Sequence, residues 1–344
     1  MNYEIDPNTL EEYLNRPSTQ FVDVRSPSEF STATIPGAVN IPLFSDEERE
    51  MIGYTYVQKS TSEAKRLGVS MVSRRLPDIY ARIEALMTIY DDVILFCSRG
   101  GMRSCTLFEL LRALKLPIKR LKGGYKGYRH FILNHLDALT LSYNYIVLWG
   151  MTGTGKTQLL MRLKDEGYNV LDLEGLANHR GSLLGHIGLG TQPTQKHFES
   201  LIYDALHSMP EGPVFVESES RKIGSVSLPQ GLVTAMAESP YIEVTDTLEH
   251  RVERLLLTYP KDHDAIKKAL ELMSPYIGKA PVSRLFNALD NNDYAMIATY
   301  LIENYYDRNY KRALKPFEFT VSSSDENTAV AALTAYASQL KSAL

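Results

Sequence analysis

Residues Gly150-Met151-Thr152-Gly153-Thr154-Gly155-Lys156-Thr157 complete the pattern Gly-x-x-x-x-Gly-Lys-Thr, the signature of a phosphate-binding loop. No other feature of the chain constrains its fold as tightly, because such a loop works only where a strand delivers it and a helix leaves it. The flanks comply. Tyr145 to Trp149 is a short apolar run suited to a buried strand, and Gln158 to Leu163 carries an apolar helical pattern. The glycines Gly150, Gly153 and Gly155 let backbone N–H groups cradle a diphosphate. Lys156 bridges its oxygens, and Thr157 has the hydroxyl that would hold a magnesium ion if one accompanies the ligand. Two further strands are expected at Asn169–Leu173 and Val214–Val216. Glu217 follows the latter, where such folds place a second acid. Asp172, Glu174, His179 and Arg180 fall in a glycine-rich stretch after the former, at the carboxyl end of the strands, where α/β sheets bind ligands. From Asp246 onward the pattern is mostly helical.

The N-terminal half also alternates strands and helices. Phe21–Val24 and Val93–Phe96 are predicted strands. Leu76, Ile79, Tyr80, Ile83, Leu86, Met87 and Tyr90 recur at helical spacing between them, and a further helix is expected from Gly101 through Leu114. The second strand ends at Cys97, followed by Ser98-Arg99-Gly100-Gly101-Met102-Arg103-Ser104. Convergent N–H groups, a helix start and the charges of Arg99 and Arg103 make this turn an anion nest, in which a cysteine is placed to act as a nucleophile. Cys105, inside the helix, is assigned a structural role. The chain's 344 residues suit two α/β domains, 1–138 and 139–344, the second with a helical C-terminal part.

With only two cysteines, a disulfide framework is excluded, and no tightly bound cofactor or zinc site is predicted. The longest apolar runs are too short to span a bilayer, and the N-terminal stretch lacks a signal core, so a cytoplasmic protein with no membrane partner is expected. A net charge of −4 leaves nucleic-acid binding to local patches. One such patch is at hand: Arg112, Lys115, Lys119, Arg120, Lys122, Lys126 and Arg129 occur with no acid among them. Tyr125, Tyr128 and His130 are interleaved as rings that can stack on unpaired bases. Lys122, Lys126 and Arg129 are the expected RNA contacts, with Tyr305–Arg312 as a second segment.

Asp23-Val24-Arg25-Ser26-Pro27-Ser28-Glu29-Phe30, Ile35-Pro36-Gly37-Ala38-Val39-Asn40, the Cys97 loop and Gly123-Gly124-Tyr125 together resemble a rhodanese domain. The resemblance implies a cysteine that carries sulfur or selenium, with Asp23 and Arg25 tying strand ends. The loop reads Cys-x-x-Gly-x-x-Arg-Ser, one residue longer than in many single-domain rhodaneses. That spacing is shared with cysteine phosphatases, although Phe96 stands where tyrosine phosphatases have histidine. A rhodanese-like parallel-sheet domain followed by a P-loop NTPase-like domain, with LEGLANHRGSLLG and ESESRKIG in the latter, resembles the bacterial tRNA 2-selenouridine synthase family. The resemblance implies replacement of the sulfur of wobble 2-thiouridine by selenium through an S-geranyl intermediate. Geranyl diphosphate and selenophosphate would be the substrates, the tRNA anticodon region the partner, and a selenophosphate-producing enzyme the supplier. The competing expectations are a P-loop ATPase or kinase bearing a rhodanese or cysteine-phosphatase-like domain, and a non-catalytic RNA-binding protein.

Overall fold

The computed structural model describes residues 3–14, 16–310 and 316–342. The chain forms two compact units, one of residues 1–136 with 196–208 and one of residues 137–195 with 209–344. The expected division at 138/139 therefore has no counterpart for residues 196–208, a segment of the second half that belongs to the first unit.

In the first unit, β1 (Glu4–Ile5), β2 (Thr19–Asp23), β3 (Val39–Asn40), β4 (Asp92–Phe96) and β5 (Lys119–Leu121) form a parallel sheet ordered β1-β5-β4-β2-β3. Helix α1 (Pro27–Thr32) follows β2, and α2 (Asp46–Gln58) and α3 (Thr61–Met87) form a hairpin before β4. Helix α4 (Met102–Ala113) follows β4 and α5 (Gly124–Leu141) follows β5. Every residue of β4 is buried, as expected of a central parallel strand covered on both faces. The helical repeat from Leu76 to Tyr90 packs on a core that includes Val22, Ile83, Leu95 and Leu111.

In the second unit, β6 (Tyr145–Trp149), β7 (Asn169–Leu171), β8 (Val214–Glu217), β11 (Tyr241–Thr245) and β12 (Thr320–Ser322) form a parallel sheet ordered β12-β11-β6-β8-β7. A small antiparallel ribbon, β9 (Lys222–Ile223) and β10 (Val226–Ser227), follows β8. Helix α6 (Lys156–Asp165) leaves the phosphate-binding loop, and α7 (Leu173–Ala177) follows β7. The strand expected at Asn169–Leu173 stops two residues early, because Asp172 caps α7 by accepting from the Gly175 N–H at 2.8 Å. Helix α8 (Gln195–His207) carries the segment that joins the first unit, and α9 (Gln230–Glu238) precedes β11. Helices α10 (Leu248–Thr258), α11 (His263–Ile277), α12 (Lys279–Asp290) and α13 (Tyr294–Leu301) form the expected helical part, with their own core around Leu270, Leu285 and Leu301. A π-helical turn over Ile302–Tyr306 carries α13 into the short α14 (Asp307–Asn309), and α15 (Glu326–Ser342) closes the chain over β6 and α6 residues.

Candidate functional site

The cysteine loop occupies the carboxyl end of β4. Gly100 (φ +62°) and Gly124 (φ +56°) adopt the left-handed backbone that side chains disfavour. A methyl group on Gly124 would lie 2.1 Å from the Cys97 carbonyl oxygen, so this close approach requires glycine. The N–H groups of Tyr125 and Lys126 donate to the carbonyls of Cys97 and Ser98 at 2.8 and 2.9 Å, locking the loop to the start of α5. Cys97 is 3% exposed, and the Ser104 hydroxyl donates to its sulfur at 3.1 Å. Arg99 projects into solvent. Arg103 grips Glu29 through two hydrogen bonds of 2.5 and 3.0 Å, so its charge is matched within the loop's surroundings. Behind the site, Asp23 and Arg25 form a buried ion pair at 2.6 Å, with Thr34 donating to Asp23 at 2.9 Å. The Arg25 guanidinium lies 4.4 Å from the Tyr125 ring centre.

The basic run beside this loop divides in two. Lys122 and Lys126 are exposed and make no ion pair among the described residues. Arg129 is turned inward: its guanidinium pairs with Glu199 and donates to the Ser200 hydroxyl at 2.9 Å, with 11% of the side chain exposed. Lys119 pairs with Asp92 at 2.6 Å and Arg120 with Glu4. The expectation that Tyr125 and Tyr128 offer rings to bases is corrected, because both are buried, at 6% and 1% exposure, in the first unit's core. Lys311 and Arg312 of the second segment lie outside the described residues. Its Tyr305 and Tyr306 turn inward onto the second unit's helical core.

The phosphate-binding loop occupies the carboxyl end of β6 and faces a cavity of about 1140 Å³. Gly153 (φ +80°) and Gly155 (φ +84°) take the left-handed backbone there. The Lys156 ammonium donates to the Gly150 carbonyl at 2.6 Å, and the Tyr310 hydroxyl donates to the same oxygen at 2.6 Å. Two arginines of α10 brace the loop, and Arg254 also lines the cavity. Arg251 donates to the Thr152 carbonyl at 2.8 Å and pairs with Asp307 at 2.6 Å. Arg254 donates to the Gly153 carbonyl at 2.5 Å and pairs with the fully buried Asp246 at 2.8 Å. Neither arginine was singled out from the sequence. Their three-residue spacing on the helix after β11 is the signal that could have found them.

Acids of the glycine-rich segments crowd the cavity. Glu174 and Glu219 both line it, together with Thr157 and Arg180. Burial, then the proximity of Glu219, pushes the Glu174 carboxyl well above its ordinary range; burial also raises Glu219, against the opposing pull of Lys156. Glu217 is fully buried and accepts the Glu174 N–H at 2.8 Å; burial, followed by Asp172 and Glu174, drives its carboxyl strongly toward the protonated form. No group of three or more His, Cys, Asp or Glu among the described residues is placed to hold a metal ion. His179 is buried and held neutral by burial and by His186. Arg180 donates to the Ile187 carbonyl at 2.8 Å and stacks 4.8 Å from the Tyr259 ring centre. Apolar side chains complete the lining, among them Trp149, Leu228, Val233, Met236 and Tyr241.

Comparison with known proteins matches residues 6–130 to the rhodanese-like domain and residues 143–272 to the tRNA 2-selenouridine synthase AAA domain. A tRNA 2-selenouridine synthase of Sulfurovum sp. is 38% identical over 258 residues, covering 73% of this chain and 69% of the relative. The chain belongs to the tRNA 2-selenouridine synthase family. Family members from Marinobacter nauticus (39% identity, 74% of this chain and 69% of the relative) and Cupriavidus necator (36% identity, 78% of each) extend the match. The family resemblance read from the two loops and the two second-domain motifs holds, as does the rhodanese-then-P-loop order of α/β domains.

Proposed function

We propose that this chain modifies tRNA by replacing the sulfur of wobble 2-thiouridine with selenium, through an S-geranyl intermediate made from geranyl diphosphate. The lining of the second unit's cavity carries this reading. Gly153, Thr154, Gly155, Lys156 and Thr157 supply a cradle for a diphosphate, while Leu228, Val233, Met236, Trp149 and Tyr241 supply apolar surface. A ligand with an anionic head and a hydrocarbon tail satisfies both sets, and the volume exceeds what a diphosphate alone would fill. In the first step the thiocarbonyl sulfur attacks C1 of the geranyl group, and the C1–O electron pair leaves with diphosphate, whose charge the loop N–H groups and Lys156 stabilise. In the second, the selenium of selenophosphate attacks C2 at the Cys97 loop, and the C2–S pair leaves as geranylthiolate, which takes a proton. Water cleaves the P–Se bond to release phosphate, and N3 regains its proton as the C2=Se bond forms. Glycines let that loop pack closely on the start of α5, and Arg99, Lys122 and Lys126 present positive charge to the RNA around it. A selenophosphate-producing enzyme supplies the donor.

The test is mass spectrometry of nucleosides from 2-thiouridine tRNA treated with the protein and geranyl diphosphate, then with selenophosphate. S-geranyl-2-thiouridine followed by 2-selenouridine is the expected series. Nucleotide hydrolysis independent of tRNA, with neither nucleoside formed, would overturn the reading in favour of an ATPase.

A further inference from the structure

Two carboxyl groups meet over Gly181 in the wall of the phosphate-loop cavity. A methyl group on Gly181 would lie 2.8 Å from Glu174 Oε1 and 2.8 and 2.9 Å from the two Glu219 oxygens, and the two acids are hydrogen-bonded to each other. Ionised carboxylates only accept hydrogen bonds, so this bond exists only when the pair holds a proton. Lys156 is the cation facing both acids; Asp172, Glu217 and Tyr259 are the other titratable groups turned toward Glu174. Glu217 Oε2 is buried without a hydrogen-bond partner in the same cluster, so bonds among the acids do not absorb its polarity. The arrangement is a pair of half-buried carboxyl groups sharing a proton beside the residue that holds the phosphates.

We propose that the Glu174–Glu219 pair is the proton acceptor of the S-alkylation step, with Glu219 taking the proton. This rests on the prenyl-transfer reading of the cavity. When the sulfur of 2-thiouridine forms its bond to C1, the C2=S double bond becomes single. The N3–H electron pair becomes the C2=N3 bond, and the N3 proton must leave; the C1–O pair departs with diphosphate. The anionic member of the pair takes that proton and the pair becomes neutral. Its timing is favourable, because a charge retained there would repel the departing diphosphate at Lys156. Burial, first, raises the proton affinity of both acids, which suits the pair to accept a proton.

The full chain is assayed for S-geranylation of 2-thiouridine tRNA over roughly pH 5.5 to 9, with inorganic diphosphate binding measured in parallel by calorimetry. Glu219→Gln keeps the shape and hydrogen-bonding capacity of the protonated acid. It is expected to lower kcat by about 10²-fold or more and to remove the acidic limb of the profile, with diphosphate affinity undiminished or raised, because the charge that repels it is gone. Glu219→Asp, which keeps an acid, should recover part of kcat and restore the acidic limb. An unchanged kcat and profile in Glu219→Gln overturns the assignment. So does a rate loss matched by an equal fall in diphosphate binding, which would make the pair a ligand-holding element. A wild-type protein that forms no S-geranyl product overturns the prenyl-transfer reading itself, and the assignment with it.

Discussion

Asp246→Asn is the most informative single-atom change in the second unit. Asp246 sits at the end of β11 with its side chain fully buried. Its Oδ1 accepts from the Thr247 N–H at 2.8 Å and the Ser324 hydroxyl at 2.5 Å, and lies 2.9 Å from His250 Nδ1. Its Oδ2 accepts from Arg254 at 2.8 Å and the Ser323 hydroxyl at 2.9 Å. An asparagine cannot reproduce both sets. With its oxygen at the Oδ1 position its amide N–H groups face the Arg254 guanidinium; reversed, they face the Thr247 N–H. Removing one partner of a buried ion pair costs about 3–5 kcal/mol, and the 15% exposure of Arg254 places this case near the lower end. At about 2–4 °C per kcal/mol for a domain of this size, the unit's melting transition should fall by roughly 6–12 °C. Arg254 also holds the Gly153 carbonyl, so inorganic diphosphate affinity should fall with it. Burial works to raise the Asp246 carboxyl, but bonds from Ser324, Arg254, Ser323 and His250 more than reverse this and hold it well below the usual carboxylate range. Its stabilisation is therefore complete above the ordinary aspartate value of about 3.9 and is lost as pH falls below it. Differential scanning calorimetry of both proteins should show a constant gap from about pH 6 to 8 that closes on acidification. A gap under about 1 kcal/mol, or one that widens in acid, would refute the reasoning.

Glu217→Gln should behave oppositely. The folded wild type binds a proton there that the unfolded chain releases above about pH 4.3, so it loses stability as pH rises, and urea titrations should show a flatter dependence in the variant. A wild type that is the more stable of the two at pH 8 would contradict this. Lys122→Glu with Lys126→Glu should weaken tRNA binding and lower its log–log salt slope by about 0.7–0.9 for each phosphate these lysines neutralise, leaving the melting temperature unmoved. Arg129→Glu should instead destabilise the first unit by about 3 kcal/mol or more, because it leaves Glu199 facing a like charge. Cys97→Ala should abolish selenium incorporation while S-geranylation persists. Lys156→Ala should block geranylation yet accept a tRNA geranylated beforehand, and failure on that substrate would show that the two loops do not divide the work.

The two loops were legible because each is a local device, a strand end, glycines and a helix start within a dozen residues. What escaped is non-local. Strands β1, β3 and β5 are two or three residues long, and β5 contains Lys119 and Arg120, whose charges read as surface until Asp92 and Glu4 are seen beside them. Arg129 looked like its neighbours Lys122 and Lys126, since Glu199 lies 70 residues downstream. Tyr125 and Tyr128 are interleaved with lysines yet bury their rings, a distinction that spacing along α5 does not reveal. The pairing of Glu174 with Glu219 likewise joins two segments that sequence presents as separate polar loops.

Helix α8 has a consequence for how such a protein can be inherited. The first unit takes Phe198, Ile202, Tyr203 and Leu206 from a stretch encoded between β7 and β8 of the second, and the Tyr203 ring meets that of Phe131 edge-on at 5.7 Å. A gene fragment ending at the rhodanese-like segment would code for a domain missing one of its own walls, with the Phe131 ring deprived of Tyr203. Recombination can trade contiguous cassettes between proteins, but here the first unit is transmitted whole only together with a helix encoded in the P-loop half. The core of the first unit is thereby completed by side chains that a contiguous N-terminal fragment would lack.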